Sequence, residues 1–109
     1  MNRDELLPGT LHLLILRSLA RNGEMHGYEI AKFIQQISKD VLQVEEGSLY
    51  PALQRMLIKG WIEGEWGKTE ENRRARYYRL TPDGRKRLVE ELERYHLVSR
   101  AIARIVRPA

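Results

Sequence analysis

Hydroxyl, amide and guanidinium groups gather in two short stretches of this chain. Ser48, Tyr50, Gln54, Arg55 and Lys59 lie between Gly47 and Lys59, with Pro51 among them, and Lys68, Arg73, Arg74 and Arg76 lie in or beside the segment Gly67 to Ala75. Side chains of these types bond phosphate oxygens and base edges, and a cluster of cations suits phosphate contact or the insertion of one arginine into a minor groove. A third place is the start of a helix at His26-Gly27-Tyr28, where the free backbone amides favour an anion and Tyr28 or Lys32 could bond to it. Each has a plainer reading: Ser48 as a cap, Tyr28 and Tyr50 as packed rings, Arg55 and Lys59 as a solvated helical face, the loop as an ordinary charged hairpin. Glu70 and Glu71 share the loop. A phosphate backbone would repel them, so they are expected at the far side of its tip or in ion pairs with the loop arginines.

Other chemistries find no support. Cysteine is absent, which removes disulfides, thiolate metal sites and a cysteine nucleophile. His12, His26 and His96 do not stand at helical ligand spacing, so no metal is expected. No glycine-rich phosphate loop or nucleophile constellation appears, and Asp83-Gly84 reads as a helix-start device, so neither enzyme activity nor a cofactor is expected. The 109 residues fit one compact unit, and 19 Lys and Arg against 15 Asp and Glu give a net charge of +4 that favours an acidic partner. The apolar run Leu11 to Leu16, broken by His12, is too short to cross a bilayer. A soluble cytoplasmic protein without membrane contact is expected.

The elements that would position these groups follow from periodicity. After Pro8-Gly9, Thr10 caps a first helix, Leu11 to Asn22, whose apolar residues cover nearly its whole circumference and so need burial on more than one side. Gly23 stops it. The stretch Glu24 to Gly27 reads as a connection, a second helix runs from Tyr28 to about Ser38, and a third spans Gly47 to Lys59 with Leu49, Leu53, Met56 and Leu57 inward. Pro51 is expected near enough to the start of that helix to lose no hydrogen bond. The period then becomes alternating: Trp61 to Trp66 and Arg76 to Leu80 read as paired strands around the loop. Thr81 caps a last helix with Pro82 at its first position. Along it Leu88, Leu92, Tyr95, Ser99, Ile102 and Val106 form a heptad seam, which asks for a partner helix.

Three helices followed by a β-hairpin make a winged helix-turn-helix, a mainly α fold with a small hairpin, in which the third helix enters the major groove. We assign residues 1–81 to that domain with its N-terminal arm and residues 82–109 to a C-terminal dimerisation helix of the same compact unit. A winged helix that binds protein instead of DNA is the competing reading, and it would leave the third helix and the wing without their basic residues.

Four motifs carry a resemblance: His26-Gly27-Tyr28-Glu29-Ile30, Glu46-Gly47-Ser48-Leu49-Tyr50-Pro51-Ala52-Leu53, Gly60-Trp61-Ile62, and Arg76-Tyr77-Tyr78-Arg79-Leu80-Thr81-Pro82-Asp83-Gly84. In that order the chain, from about Gly9 to Leu88, resembles the PadR family of bacterial transcriptional regulators. The resemblance implies a homodimeric repressor on an inverted-repeat DNA operator, of the short subfamily with a single helix after Gly84. It implies that the first helix, with Leu11 and Leu14, packs against the partner's last helix, with Leu6 and Leu7 joining that interface. A small-molecule effector is a further implication. Where drug-binding members carry a tryptophan on the last helix, this chain has Tyr95 followed by His96, so stacking of flat drugs is not carried over.

Overall fold

The computed structural model describes residues 9–108, and the N-terminal Leu6 and Leu7 lie outside them. The order is α1 (Thr10–Asn22), β1 (Met25–His26), α2 (Gly27–Ile37), α3 (Glu46–Ile58), β2 (Ile62–Lys68), β3 (Arg74–Leu80) and α4 (Pro82–Val106). The three strands form one antiparallel sheet in the order β1-β3-β2. This is the winged helix-turn-helix with one added strand.

β1 is the main departure from the sequence reading. Met25 and His26 pair with Tyr78 and Tyr77, so what reads as a connection is the outer strand of the sheet. Two residues are too few to show alternation, and the pairing rests on backbone groups that a pattern of side chains does not report. The strand runs straight into α2. His26 is its N-cap: the Glu29 amide donates to His26 Nδ1 at 3.4 Å, and the His26 amide donates to Glu29 Oε1 at 3.0 Å, a reciprocal capping box.

The hairpin is longer than its alternating pattern. Pairing starts at Ile62 with Leu80 and continues through Trp66 with Arg76 to Lys68 with Arg74. The loop therefore shrinks to Thr69–Arg73, closed by the Thr69 amide on the Arg73 carbonyl at 2.8 Å, and Arg74 becomes a strand residue. Ladder hydrogen bonds need no apolar side chains, which is why the strands outrun the pattern.

Two helix starts also move. α1 begins at Thr10 with Gly9 as its N-cap in a left-handed conformation, and no side chain caps it. α3 begins at Glu46, which makes Pro51 its sixth residue, inside the helix rather than in its first turn. Its missing amide leaves the Gly47 carbonyl without that intrahelical donor, a cost confined to the exposed face of the helix.

The core is built from one stripe of each helix against the inner face of the sheet. Ile15, Leu16 and Leu19 of α1, Ile30 and Ile34 of α2, and Leu49, Ala52, Leu53 and Met56 of α3 meet Ile62, Tyr78 and Leu80. Ser18, buried among them, donates to the Leu14 carbonyl at 2.7 Å and so carries no unpaired hydroxyl. Thr81 caps α4 as expected: its Oγ1 accepts from the Gly84 amide at 3.0 Å and donates to the Gly60 carbonyl at 2.6 Å, tying that helix to the end of α3. Leu88, expected on the dimer seam, is 6% exposed and belongs to the core of its own chain. Leu92 is half-buried against the same core, as are Leu11 and Leu14, whereas every residue of α4 from Glu93 onward is exposed. Among the described residues no helix is long and apolar enough to cross a membrane.

Candidate nucleic-acid interface

The core stripe of α3 fixes what that helix offers outward. With Leu49, Ala52, Leu53 and Met56 buried, a turn of 3.6 residues directs Gly47, Pro51, Gln54 and Ile58 away from the core. Ser48, Arg55 and Lys59 stand on one flank and Tyr50 on the other. All of these are exposed. Ile58 did not stand out in the sequence, yet at 84% exposure it is the barest apolar residue of the helix. Its spacing of four from Gln54 and seven from Pro51 was the available signal.

The flanks look at different neighbours. On one side, Lys59 Nζ lies 5.2 Å from the centre of the Trp61 ring, and Trp61 also meets the edge of His12 at 5.7 Å and the Arg87 guanidinium at 4.9 Å. Arg55 belongs to the same neighbourhood. Burial, and next to it the charge of Arg55, holds the His12 pKa below its ordinary value, with Lys59 and Arg87 adding to the effect and Glu91 opposing it. On the other side, Tyr50 lies against Gly27, the first residue of α2. Tyr28, Lys32 and Tyr50 then line a cleft between α2 and the first turn of α3.

A second groove runs between α2 and the tip of the wing. Tyr28 and Lys32 line it together with Lys68, Arg73, Glu70 and Glu71. The two acids thus share a groove with the loop cations, and no ion pair joins them to Lys68, Arg73 or Arg74 among the described residues. The expectation that they stand beyond the tip or pair with its arginines is corrected. Asn72, with φ 62°, takes the left-handed conformation in the turn that carries them.

The faces of the hairpin differ in charge. On one, Arg79 is held by Glu63 at 2.8 Å, Glu24 at 3.0 Å and Glu65 at 3.3 Å, and the bonds to Glu63 and then Glu24 raise its pKa. On the other, Lys68, Trp66, Arg74 and Arg76 share the side that continues inward to the buried Ile62, Tyr78 and Leu80. Arg74 and Arg76 lie 4.5 and 5.9 Å from the centre of the Trp66 ring. Burial pushes the Tyr78 phenol up, Arg76 pulls it back and Tyr50 adds to the rise. That buried ring therefore stands between the basic face of the wing and the start of α3.

The expected binding residues thus fall into separate groups. Tyr28, Lys32, Tyr50, Lys68 and Arg73 surround α2, while Pro51 and Gln54 crown α3. Arg74 and Arg76 occupy the inner face of the wing. Arg55 and Lys59 stand apart, toward α1 and α4. Among the described residues no group of three or more potential metal ligands occurs.

Comparison with known proteins agrees with the fold. Residues 15–90 match the model of the transcriptional regulator PadR-like family. The transcriptional regulator Rv3488 of Mycobacterium tuberculosis is 36% identical over 87 residues, which cover 80% of this chain and 77% of that protein. Among solved structures, a transcriptional regulator from Clostridium thermocellum superposes with a TM-score of 0.82 at 31% identity, covering 91% of this chain and 95% of the other. A PadR-like transcriptional regulator from Bacillus cereus gives 0.78 at 28% identity, covering 94% and 97%. The chain belongs to the PadR-like family of transcriptional regulators, and its winged helix-turn-helix is that of a DNA-binding regulator.

Proposed function

We propose that the chain acts in the cytoplasm as a homodimeric repressor that occludes an inverted-repeat operator, with α3 in the major groove and the wing on the flanking backbone. Tyr28, Lys32, Ser48, Tyr50, Pro51, Gln54, Arg55, Lys59, Lys68, Arg73, Arg74 and Arg76 are the residues assigned to DNA. The observation that carries the reading is the exposed crown of α3 beside a wing face whose arginines have no carboxylate partner among the described residues. An anion is the missing partner such a surface fits.

Dimerisation is supported by α4. Tyr95, Ile102 and Val106 are 53%, 49% and 71% exposed, and among the described residues every side chain of α4 past Leu92 is exposed. A bare helical half of this kind is marginal in water without a partner. Tyr95, Ser99, Ile102 and Val106 supply the seam, and Leu11 and Leu14 its margin. Leu88 and Leu92 contribute by anchoring the seam to the core. A small molecule that changes the angle between the two reading heads would relieve repression, by binding one angle better than the other.

Footprinting on the DNA upstream of the protein's own gene tests this. Two protected half-sites, centred about one helical turn of 10–10.5 base pairs or a multiple apart, are expected. A single protected block without two-fold symmetry would contradict the dimeric arrangement.

A further inference from the structure

The inner face of the wing carries more than a cluster of cations. Trp66 sits directly opposite Arg76 in the ladder and diagonal to Arg74, with both guanidinium groups drawn over its ring. Gly64 lies two residue pairs further in, the next on the same face, and a Cβ there would come within 2.6 Å of Arg76 Nε. The Arg76 side chain therefore passes close over the bare backbone of Gly64, with its Nε buried and without a hydrogen-bond partner among the described residues. The contrast with the outer face is sharp in chemical terms. There Arg79 is neutralised by Glu24, Glu63 and Glu65, whereas Arg74 and Arg76 have aromatic support and no acid among the described residues.

A guanidinium stacked on an indole keeps its in-plane N–H groups free, because the ring contacts its face and the hydrogen bonds leave from its edge. Stacking also removes the rotamer freedom that an unsupported arginine gives up when it binds. Trp66 remains 57% exposed, so it is a surface platform and not a core residue.

We propose that Trp66 and Gly64 are positioning residues that hold Arg74 and Arg76 edge-on to receive a DNA backbone phosphate at the wing. This rests on the DNA-binding reading given above. Neither residue was singled out by the sequence, because their role depends on cross-strand register.

Phosphate contact is independent of base sequence, so a mixed-sequence duplex of about 20 base pairs, two helical turns, at low salt is a sufficient probe. Trp66→Ala should weaken its binding about five- to thirtyfold, the range given by two exposed cation–π contacts, and Trp66→Phe should restore most of the loss. Introduced beside Arg74→Ala and Arg76→Ala, Trp66→Ala should add nothing, since it acts through them. Gly64→Ala, which displaces a flexible side chain and leaves the ladder intact, should reproduce the weakening with an unchanged thermal midpoint, and it carries the test if Trp66→Ala folds poorly. Native affinity in Trp66→Ala and Gly64→Ala, or an undiminished Trp66 effect in the chain lacking both arginines, would overturn the proposal while leaving DNA binding intact. If the unaltered chain fails to bind the duplex at all, the DNA-binding reading itself falls, and this inference with it.

Discussion

The Tyr50 ring lies on Gly27: a Cβ added to the glycine would stand 3.0 Å from both Cε1 and the hydroxyl of the tyrosine. This single approach joins the first turn of α3 to the first residue of α2, and so sets the spacing of two motifs that are far apart in sequence. Gly27 has no need of a left-handed conformation here. What it supplies is room for the ring.

Gly27→Ala should therefore act on binding more than on stability. Tyr50 is 43% exposed and can swing outward, so the unfolding free energy should change by less than about 1 kcal/mol, while operator affinity falls several-fold as the hydroxyl leaves its place. Denaturant titration and duplex binding on the same variant separate the two. A stability loss with native affinity would show that the contact serves packing alone.

Gly84 has the opposite character. A Cβ there would run into the Trp61 carbonyl oxygen, which is backbone and cannot turn aside. Gly84→Ala should cost about 1–3 kcal/mol, at the level of an overpacked core, and lower the thermal midpoint accordingly. An unchanged midpoint would mean that α4 can slide relative to the hairpin.

Arg79 ties Glu24, Glu63 and Glu65 together on the outer face of the wing. Arg79→Met should leave three like charges close together, so its thermal midpoint should fall at low salt and recover toward native at about 1 M salt, where the Debye length is about 3 Å. All four side chains are well exposed, and solvent keeps the effect modest. Destabilisation that persists in high salt would point to lost packing of the arginine stem instead.

His12 gives a pH dependence with a definite sign. Its native pKa is held below the ordinary 6.5, by burial first and by Arg55 next, and its Nε2 is buried without a hydrogen-bond partner among the described residues. Between 6.5 and the lower native value the unfolded chain takes up a proton that the folded chain refuses, so the His12 contribution is complete above 6.5 and is lost as pH falls through that window. Urea midpoints measured from neutral to mildly acid pH should fall less steeply in His12→Leu than in the native chain. Parallel profiles would assign the acid sensitivity to other groups.

Much of this arrangement was legible because it is local. Helical spacing gave the buried stripe of α3, and Thr81-Pro82-Asp83-Gly84 announced its cap, with Thr81 Oγ1 taking the Gly84 amide as a cap does. What stayed hidden depends on register and distance. Arg79 finds Glu24 across 55 positions of chain, and β1 is defined by backbone pairing to Tyr77 and Tyr78. The seam of α4 reads as a continuous heptad, yet its first member, Leu88, is consumed by the core, because periodicity marks a face without saying which neighbour covers it. Likewise Arg55 and Arg76 look equivalent as surface cations. Only the fold sends one toward His12 and the other onto Trp66.

The central claim is that α3 and the wing read a specific duplex as a DNA-binding regulator. It is tested most directly by titrating the chain against a labelled duplex from upstream of its own gene and against a scrambled duplex, over a series of salt concentrations. The account predicts binding to the upstream duplex at least about a thousandfold tighter than to the scrambled one, with log affinity falling linearly as log salt rises. Equal, weak binding to every genomic duplex tried would contradict specific recognition and favour a winged domain that serves a protein partner.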